Sequence, residues 1–440
     1  MSTTVQLRSM IVCPHCWSHF PPERVLAISS AADLLGDFRL GSAEQTRFLP
    51  ERFDVSGVPK DQMGYSCSKK ACPNCHLLVP DVMMTTPSQI ISIVGAPASG
   101  KSYFLASMTY KLRTTLPNVF GLSFSDSDVN MNHRLREYET QQFENENAQQ
   151  WVTIKKTEVE GEGYDFVKFG NQQIKYPQPF VFTVRLVPKH PLYNPEQIIT
   201  TSLCLYDNAG ESYLSTEDRV EAPVTQHLKH CQSIFFMYDP MQSLRFRNAC
   251  REVSNDPQLD SNNLRSNIRQ DAIFHEMAHR FRTLRQLGES QQSQIPLVVI
   301  VTKYDIWHKL LGNSPLELPA PWAKLSSMKY AGLNLKAVES ISNVIRNLLL
   351  KIDPSFPNIA EEFSSNVLFV PVSATGCAPV PGKEGGLGFR PGDLKPIWTE
   401  VPLLYYLCSK GVIPGVGKVD KANNTGSAAN AGTANASKQG

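Results

Sequence analysis

An α/β fold is predicted, with a mostly parallel sheet between helices and a small cysteine-rich module ahead of it. Three observations predict it. Short apolar runs alternate with amphipathic stretches from Ser88 to about Val412, a glycine-rich loop follows the first of those runs, and five of the ten cysteines fall within the first 75 residues.

The apolar runs at 89–94, 180–186, 202–206, 233–238, 296–301 and 367–372 have strand length and buried-strand composition. The stretches at 102–113, 130–147, 222–230, 263–287 and 334–351 place apolar residues on one helical face. Strands alternating with helices argue for a sheet covered on both faces. Ligands of such sheets sit at the carboxyl ends of the strands, so the residues just after each strand are the ones to read for function. Three zones follow: a cysteine-rich module at 1–86, the α/β domain at 87–412, and a tail at 413–440. The tail has almost no large apolar side chains and is expected to be disordered.

Composition excludes several classes. Of 440 residues, 41% are apolar and 19% charged, with a formal net charge of +2. These are globular values with no global sign of a nucleic-acid or membrane partner, and no basic-aromatic stripe stands out. No run approaches the ~20 apolar residues of a membrane span, and the start lacks the apolar core of a secretory signal. A cytoplasmic location is therefore expected.

The glycine-rich loop is Gly95-Ala96-Pro97-Ala98-Ser99-Gly100-Lys101-Ser102, a gapless match to G-x-x-x-x-G-K-[ST] between a strand and a helix. Its glycines let backbone N–H groups converge on phosphate oxygens. Lys101 supplies a point charge for the β- and γ-phosphates, and the Ser102 hydroxyl is a hard oxygen ligand for Mg²⁺. The helix start adds its positive dipole end.

Three further motifs follow buried runs: Asp207-Asn208-Ala209-Gly210-Glu211, Thr302-Lys303-Tyr304-Asp305 and Ser373-Ala374-Thr375. With the loop at 95–102, this order resembles the Ras-like, translation-factor-related class of P-loop GTPases, in which D-x-x-G, [NT]-K-x-D and S-A-[KLT] come in turn. The resemblance implies a P-loop G domain that binds GTP and GDP with Mg²⁺. Asp207 would hold the ion through a water, and the backbone of Gly210 would reach the γ-phosphate. Asp305 would accept from the N1–H and N2–H₂ edge of guanine, an edge that adenine does not offer. The stem of Lys303 would lie along the base, with Thr302 and Ser373 in the same loops and the Ala374 N–H meeting guanine O6.

Two departures from that class matter. Glu211 stands where the pattern places the Gln that orients the attacking water, so hydrolysis involving Lys101 and Glu211 is expected to be slow. A switch threonine should precede Asp207, and spacing does not choose among Thr153, Thr157, Thr200 and Thr201. A non-hydrolysing nucleotide-bound scaffold therefore stays open, as does a P-loop ATPase in which 302–305 is coincidental. The stretches 113–180 and 241–266 read as insertions. A finer likeness, to bacterial GTPases of the double-GTPase type, rests on the cysteine-rich start, Tyr206-Asp-Asn-Ala-Gly-Glu211 and Glu400-Val-Pro-Leu-Leu-Tyr405, and spans about residues 10–410.

Cys13-Pro14-His15-Cys16 and Cys72-Pro73-Asn74-Cys75 are two knuckles of one form, able to supply four thiolates to Zn²⁺ as in a zinc ribbon. Their long separation requires the intervening segment to loop out. A redox Cys-x-x-Cys pair is the main rival, without a thioredoxin-like context. Cys67 could replace one ligand, whereas His15, His19 and His76 are expected to be solvated. The five scattered cysteines read as small buried hydrophobes, and the aromatics of 103–110 as core-facing helix positions. The zinc module is expected to be a staple or to dock protein partners. The identity of those partners stays open, as does a homodimer.

Overall fold

A computed structural model describes residues 7–153, 163–190, 193–194, 200–207, 213, 225–260, 269–312, 315–325, 329–382 and 386–417. The chain is a mixed α/β protein with a seven-stranded, mostly parallel sheet and a cysteine cluster near its amino end. Among the described residues no helix is long and apolar enough to cross a membrane.

The sheet comprises β1 (Ser88–Gly95), β2 (Leu122–Asp126), β3 (Phe180–Leu186), β4 (Thr200–Asp207), β5 (Ser233–Tyr238), β6 (Leu297–Val301) and β7 (Val367–Pro371). Its spatial order is β7-β6-β5-β1-β4-β3-β2. β3 runs antiparallel to both its neighbours, and the other strands share one direction. β5 (Ser-Ile-Phe-Phe-Met-Tyr) and β6 (Leu-Val-Val-Ile-Val) are buried along their whole length, as expected of parallel strands covered on both faces. β1 is the point where the order reverses: the chain builds β2, β3 and β4 on one side of it, then crosses to β5, β6 and β7 on the other. Open α/β sheets bind ligands at such a point, beyond the strands' carboxyl ends.

The register aligns those ends. Asp207 lies opposite Ile93, Met237 opposite Gly95, Tyr238 opposite Val301, and Val301 opposite Pro371. The loops after β1, β6 and β7, and Asp207 at the end of β4, therefore lie at one edge of the sheet.

Helices α1 (Lys101–Thr115), α2 (His133–Phe143), α3 (Leu244–Arg251), α4 (Gln270–Leu284), α5 (Leu335–Ile352), α6 (Ser355–Phe363) and α7 (Val401–Ser409) complete the layers. α5 starts where the sequence places it, because the Asn334 side chain caps it by accepting from the Ala337 N–H at 3.1 Å. Tyr406 of α7 reaches Gln89 of β1 at 2.6 Å, whereas Ser92 faces the other layer, where its hydroxyl meets His227 at 2.7 Å.

Each predicted strand is present. Of the predicted helices, those at 222–230 and 263–287 fall partly outside the described residues, at 222–224 and 263–268. The expected disorder of the tail also lies largely outside them, from 418 on, while Gly415–Val416 pairs with Leu333–Asn334. The first insertion contributes the edge strand β2, α2, and a hairpin formed by Tyr164–Phe169 and Gln172–Pro177. α3 lies within the second insertion, with Ser243 capping it through the Phe246 N–H.

Candidate functional site

Backbone geometry of the 95–102 loop follows from its residue types. A Cβ on Gly95 would come within 2.7 Å of Met237 Cβ and 2.9 Å of its carbonyl oxygen, so only glycine lets β1 lie this close to β5. Gly100 stands at φ 90, just before α1, in the left-handed region that glycine enters without strain. Ala98, at φ 62, does carry that strain. Lys101 is buried, and its ammonium donates to the carbonyls of Gly95 at 2.8 Å and Ala96 at 3.1 Å. The Pro97 carbonyl is anchored by the Gln242 amide at 3.0 Å.

The loop after β6 is held just as firmly. Lys303 has φ 57, and its ammonium pairs with Asp239 at 2.7 Å. Asp239 is itself buried and accepts from the Met241 N–H at 3.0 Å. Trp307 ties the turn from below, its indole N–H donating to the Thr302 carbonyl at 2.7 Å. The Ser373 hydroxyl donates to Asp305 at 2.6 Å and accepts from the Gly376 N–H at 2.7 Å. Burial pushes the Asp305 carboxyl up to about 6. The Ser373 hydrogen bond pulls it back down, and the nearby charge of Asp256 adds to the rise.

These loops share one cavity of about 150 Å³. Ala98, Ser99, Gly100, Thr302, Lys303, Asp305, Ser373 and Ala374 line it, together with Tyr103, Phe104, Met237, Gln258, Val372, Thr375 and Phe389. Whole small-molecule sites run to ~300 Å³ and above, so this space suits one part of a larger ligand. Sequence reasoning missed Gln258, Met237 and Phe389 altogether. It also assigned Tyr103 to the core, yet this side chain lines the cavity.

Ser102, half-buried, opens α1, and Asp207, buried, ends the neighbouring strand. Gly210, Glu211 and Thr157 lie outside the described residues. Thr200 and Thr201 begin β4, roughly 20 Å from Asp207 at the spacing of an extended chain, so neither reaches this edge of the sheet. Thr153 does approach α1, where its hydroxyl accepts from the Tyr103 phenol at 3.4 Å.

The second constellation is the cysteine cluster. The ligand atoms of Cys13, Cys16, Cys72 and Cys75 all lie within 4.8 Å of one another, with Cys13–Cys75 sulfurs 3.6 Å apart and Cys16–Cys72 sulfurs 3.7 Å apart. A tetrahedral ion with ~2.3 Å metal–sulfur bonds needs sulfurs ~3.8 Å apart. The two knuckles share one backbone form. Trp17 and His76, each following a second cysteine, have φ 54 and φ 64, and each N–H returns to the carbonyl of the first cysteine. Backbone N–H groups of His15 and Asn74 donate to the sulfurs of Cys13 and Cys72 at 3.4 and 3.3 Å. These four cysteines can thus hold a metal ion such as zinc. Burial pushes the Cys13 and Cys75 thiols well above their ordinary range, a rise that a bound cation would offset.

The spares behave differently. Cys67 lies away from the cluster, its sulfur 3.7 Å from Asp61. His15 and His76 are buried rather than solvated, because each is bound within the module: His15 to the Leu78 carbonyl at 3.0 Å, and His76 to Asp37 at 2.7 Å. Of the scattered cysteines, Cys204, Cys231 and Cys250 are buried, whereas Cys377 and Cys408 are half-buried.

Compared with protein-family models and with curated proteins, the sequence gives no match.

Proposed function

We propose that this chain binds a guanine nucleotide with Mg²⁺ in a P-loop G domain and hydrolyses GTP slowly as a molecular switch. The observation that carries this reading is the Asp305–Ser373 pair in a cavity that also holds the backbone of 98–100. A carboxylate fixed by one hydroxyl keeps lone pairs for two further donors, and guanine presents two adjacent donors where adenine presents an acceptor. Base and phosphate determinants then lie within one nucleotide's reach. The order of the four motifs supports the same reading.

In this scheme the 95–102 loop cradles the phosphates with its N–H groups, and Lys101 turns its charge to them. The hydroxyl of Ser102 and the carboxylate of Asp207 are hard oxygens suited to Mg²⁺, which when bound would neutralise charge on the phosphate oxygens. Lys303, braced by Asp239, lays its stem along the base. Glu211 accepts a hydrogen bond from water but cannot donate one to the γ-phosphate, which favours slow turnover. The four-thiol cluster is proposed as a structural zinc site, closed by its four protein ligands.

Competition between GTP and ATP on the purified chain tests the proposal, and equal affinities would defeat it. Asp305→Asn should move preference from guanine toward xanthine, which carries a carbonyl acceptor on C2 in place of guanine's amine. Single-turnover phosphate release separates the switch from a non-hydrolysing scaffold, for which no γ-phosphate would be lost over hours.

A further inference from the structure

The cavity has an aromatic side that the four motifs do not supply. Three rings line it, from Tyr103, Phe104 and Phe389. Phe104 is fully buried in α1, and the Tyr103 phenol is directed to Thr153. Phe389 is half-buried, and its ring meets that of Tyr103 edge-on, with centroids 5.4 Å apart and planes at 65°.

Phe389 is also held from outside the site. Its N–H and carbonyl both bond to the backbone of Val152, at 2.9 and 2.8 Å. The neighbouring Trp151 donates its indole N–H to the Val380 carbonyl at 3.2 Å and lies flush on two glycines. A Cβ on Gly388 would come within 2.4 Å of the indole, and one on Gly382 within 2.7 Å. The N–H of Gly392 completes the clamp by donating to the Ala148 carbonyl at 2.8 Å. Residues 148–152, from the first insertion, thus grip the backbone on both sides of Phe389.

We infer that Phe389 is the platform on which the purine ring stacks, and that Trp151 and Val152 position it. The inference rests on the nucleotide reading of the same cavity. A base whose edge is taken by Asp305 still exposes two π-faces. The Lys303 stem, fixed by Asp239, serves one of them, and an aromatic ring is the side chain that most favours the other. The insertion then takes part in nucleotide binding, though Trp151 itself is not among the residues that line the cavity.

The test is calorimetric titration of the full chain with GDP and, separately, with pyrophosphate, which has no base. Phe389→Ala should weaken GDP roughly tenfold or more and leave pyrophosphate affinity unchanged. Phe389→Trp should retain GDP affinity, and Trp151→Ala should weaken GDP by a smaller factor. Equal losses for both ligands in Phe389→Ala would reduce Phe389 to a folding role and overturn the inference. If Phe389→Ala binds GDP like the parent while Asp305→Asn does not, the platform is wrong and the guanine reading stands. If the parent chain itself binds no GDP, both fall.

Discussion

The Tyr206 phenol donates to the carbonyl of Pro14, fastening the first cysteine knuckle to the strand residue just before Asp207. The same phenol ring stacks on His227, centroids 5.1 Å apart and planes at 5°, and His227 bonds to Ser92 of β1, three residues before Gly95. Trp17 adds its ring 5.9 Å from Tyr206. The knuckle therefore bears on both strands that lead into the proposed phosphate site. Stripping the proposed zinc with a chelator should lower the unfolding temperature and also weaken GDP binding, which scanning fluorimetry with and without GDP would read. Tyr206→Phe should cost about 1–3 kcal/mol by stranding a buried carbonyl, with zinc content unchanged.

Asp305 should carry a stability cost that its proposed role explains. Its carboxyl is raised to about 6 from an ordinary 3.8, so the folded state binds the proton more tightly than the unfolded one. The sign follows: this group's contribution worsens as pH rises from about 4 to 6 and is fully unfavourable above that. Asp305→Asn should then stabilise the ligand-free chain at pH 7.5 by at most about 3 kcal/mol, less to the extent that solvent reaches the carboxyl. The gain should vanish near pH 4. Denaturant titrations at the two pH values would show it, and a destabilised variant at pH 7.5 would count against the raised carboxyl.

What the sequence made legible follows physical lines. β5 and β6 are continuous apolar runs bounded by polar residues, and such runs have few alternatives to a buried strand. The four motifs sit at strand ends, so placing the strands placed Asp305 and Ser373 near one another. The four knuckle cysteines were legible for a similar reason, since the second Cys-x-x-Cys repeats the form of the first. Phe389 was not legible. It lies in a glycine-rich loop without periodicity, and its placement depends on Trp151 and Val152, more than two hundred residues earlier in the chain. The burial of His15 and His76 was hidden as well, because their partners Leu78 and Asp37 are joined to them only by the module's tertiary fold.

Ser373→Ala should shift the pH dependence of GDP binding. The Ser373 hydroxyl donates to Asp305 and so favours its charged form. Without it the carboxyl rises above about 6, and a larger share is protonated near neutrality. A protonated carboxyl loses acceptor capacity toward guanine, so affinity should begin to fall at higher pH than in the parent. GDP titrations between pH 5.5 and 8 would reveal an alkaline displacement of the profile, whereas a pH-independent loss would mean that Ser373 only supports the loop.

Lys303 and Asp239 offer a double-mutant cycle that separates support from binding. Asp239 is buried, and the ammonium of Lys303 lies 2.7 Å from its Oδ2. Lys303→Ala should destabilise the chain by about 3 kcal/mol, because a buried carboxylate loses its cation. Asp239→Asn in the same chain should restore much of that stability, since the amide carries no charge to compensate. Neither change restores a lysine stem along the base, so GDP affinity should stay low in the double variant. Lys303→Gly refines the comparison. At φ 57 a glycine escapes the left-handed strain of about 1 kcal/mol that alanine bears, so it should unfold at higher denaturant than Lys303→Ala while binding GDP no better. Full recovery of GDP affinity in the double variant would assign Lys303 to loop support alone.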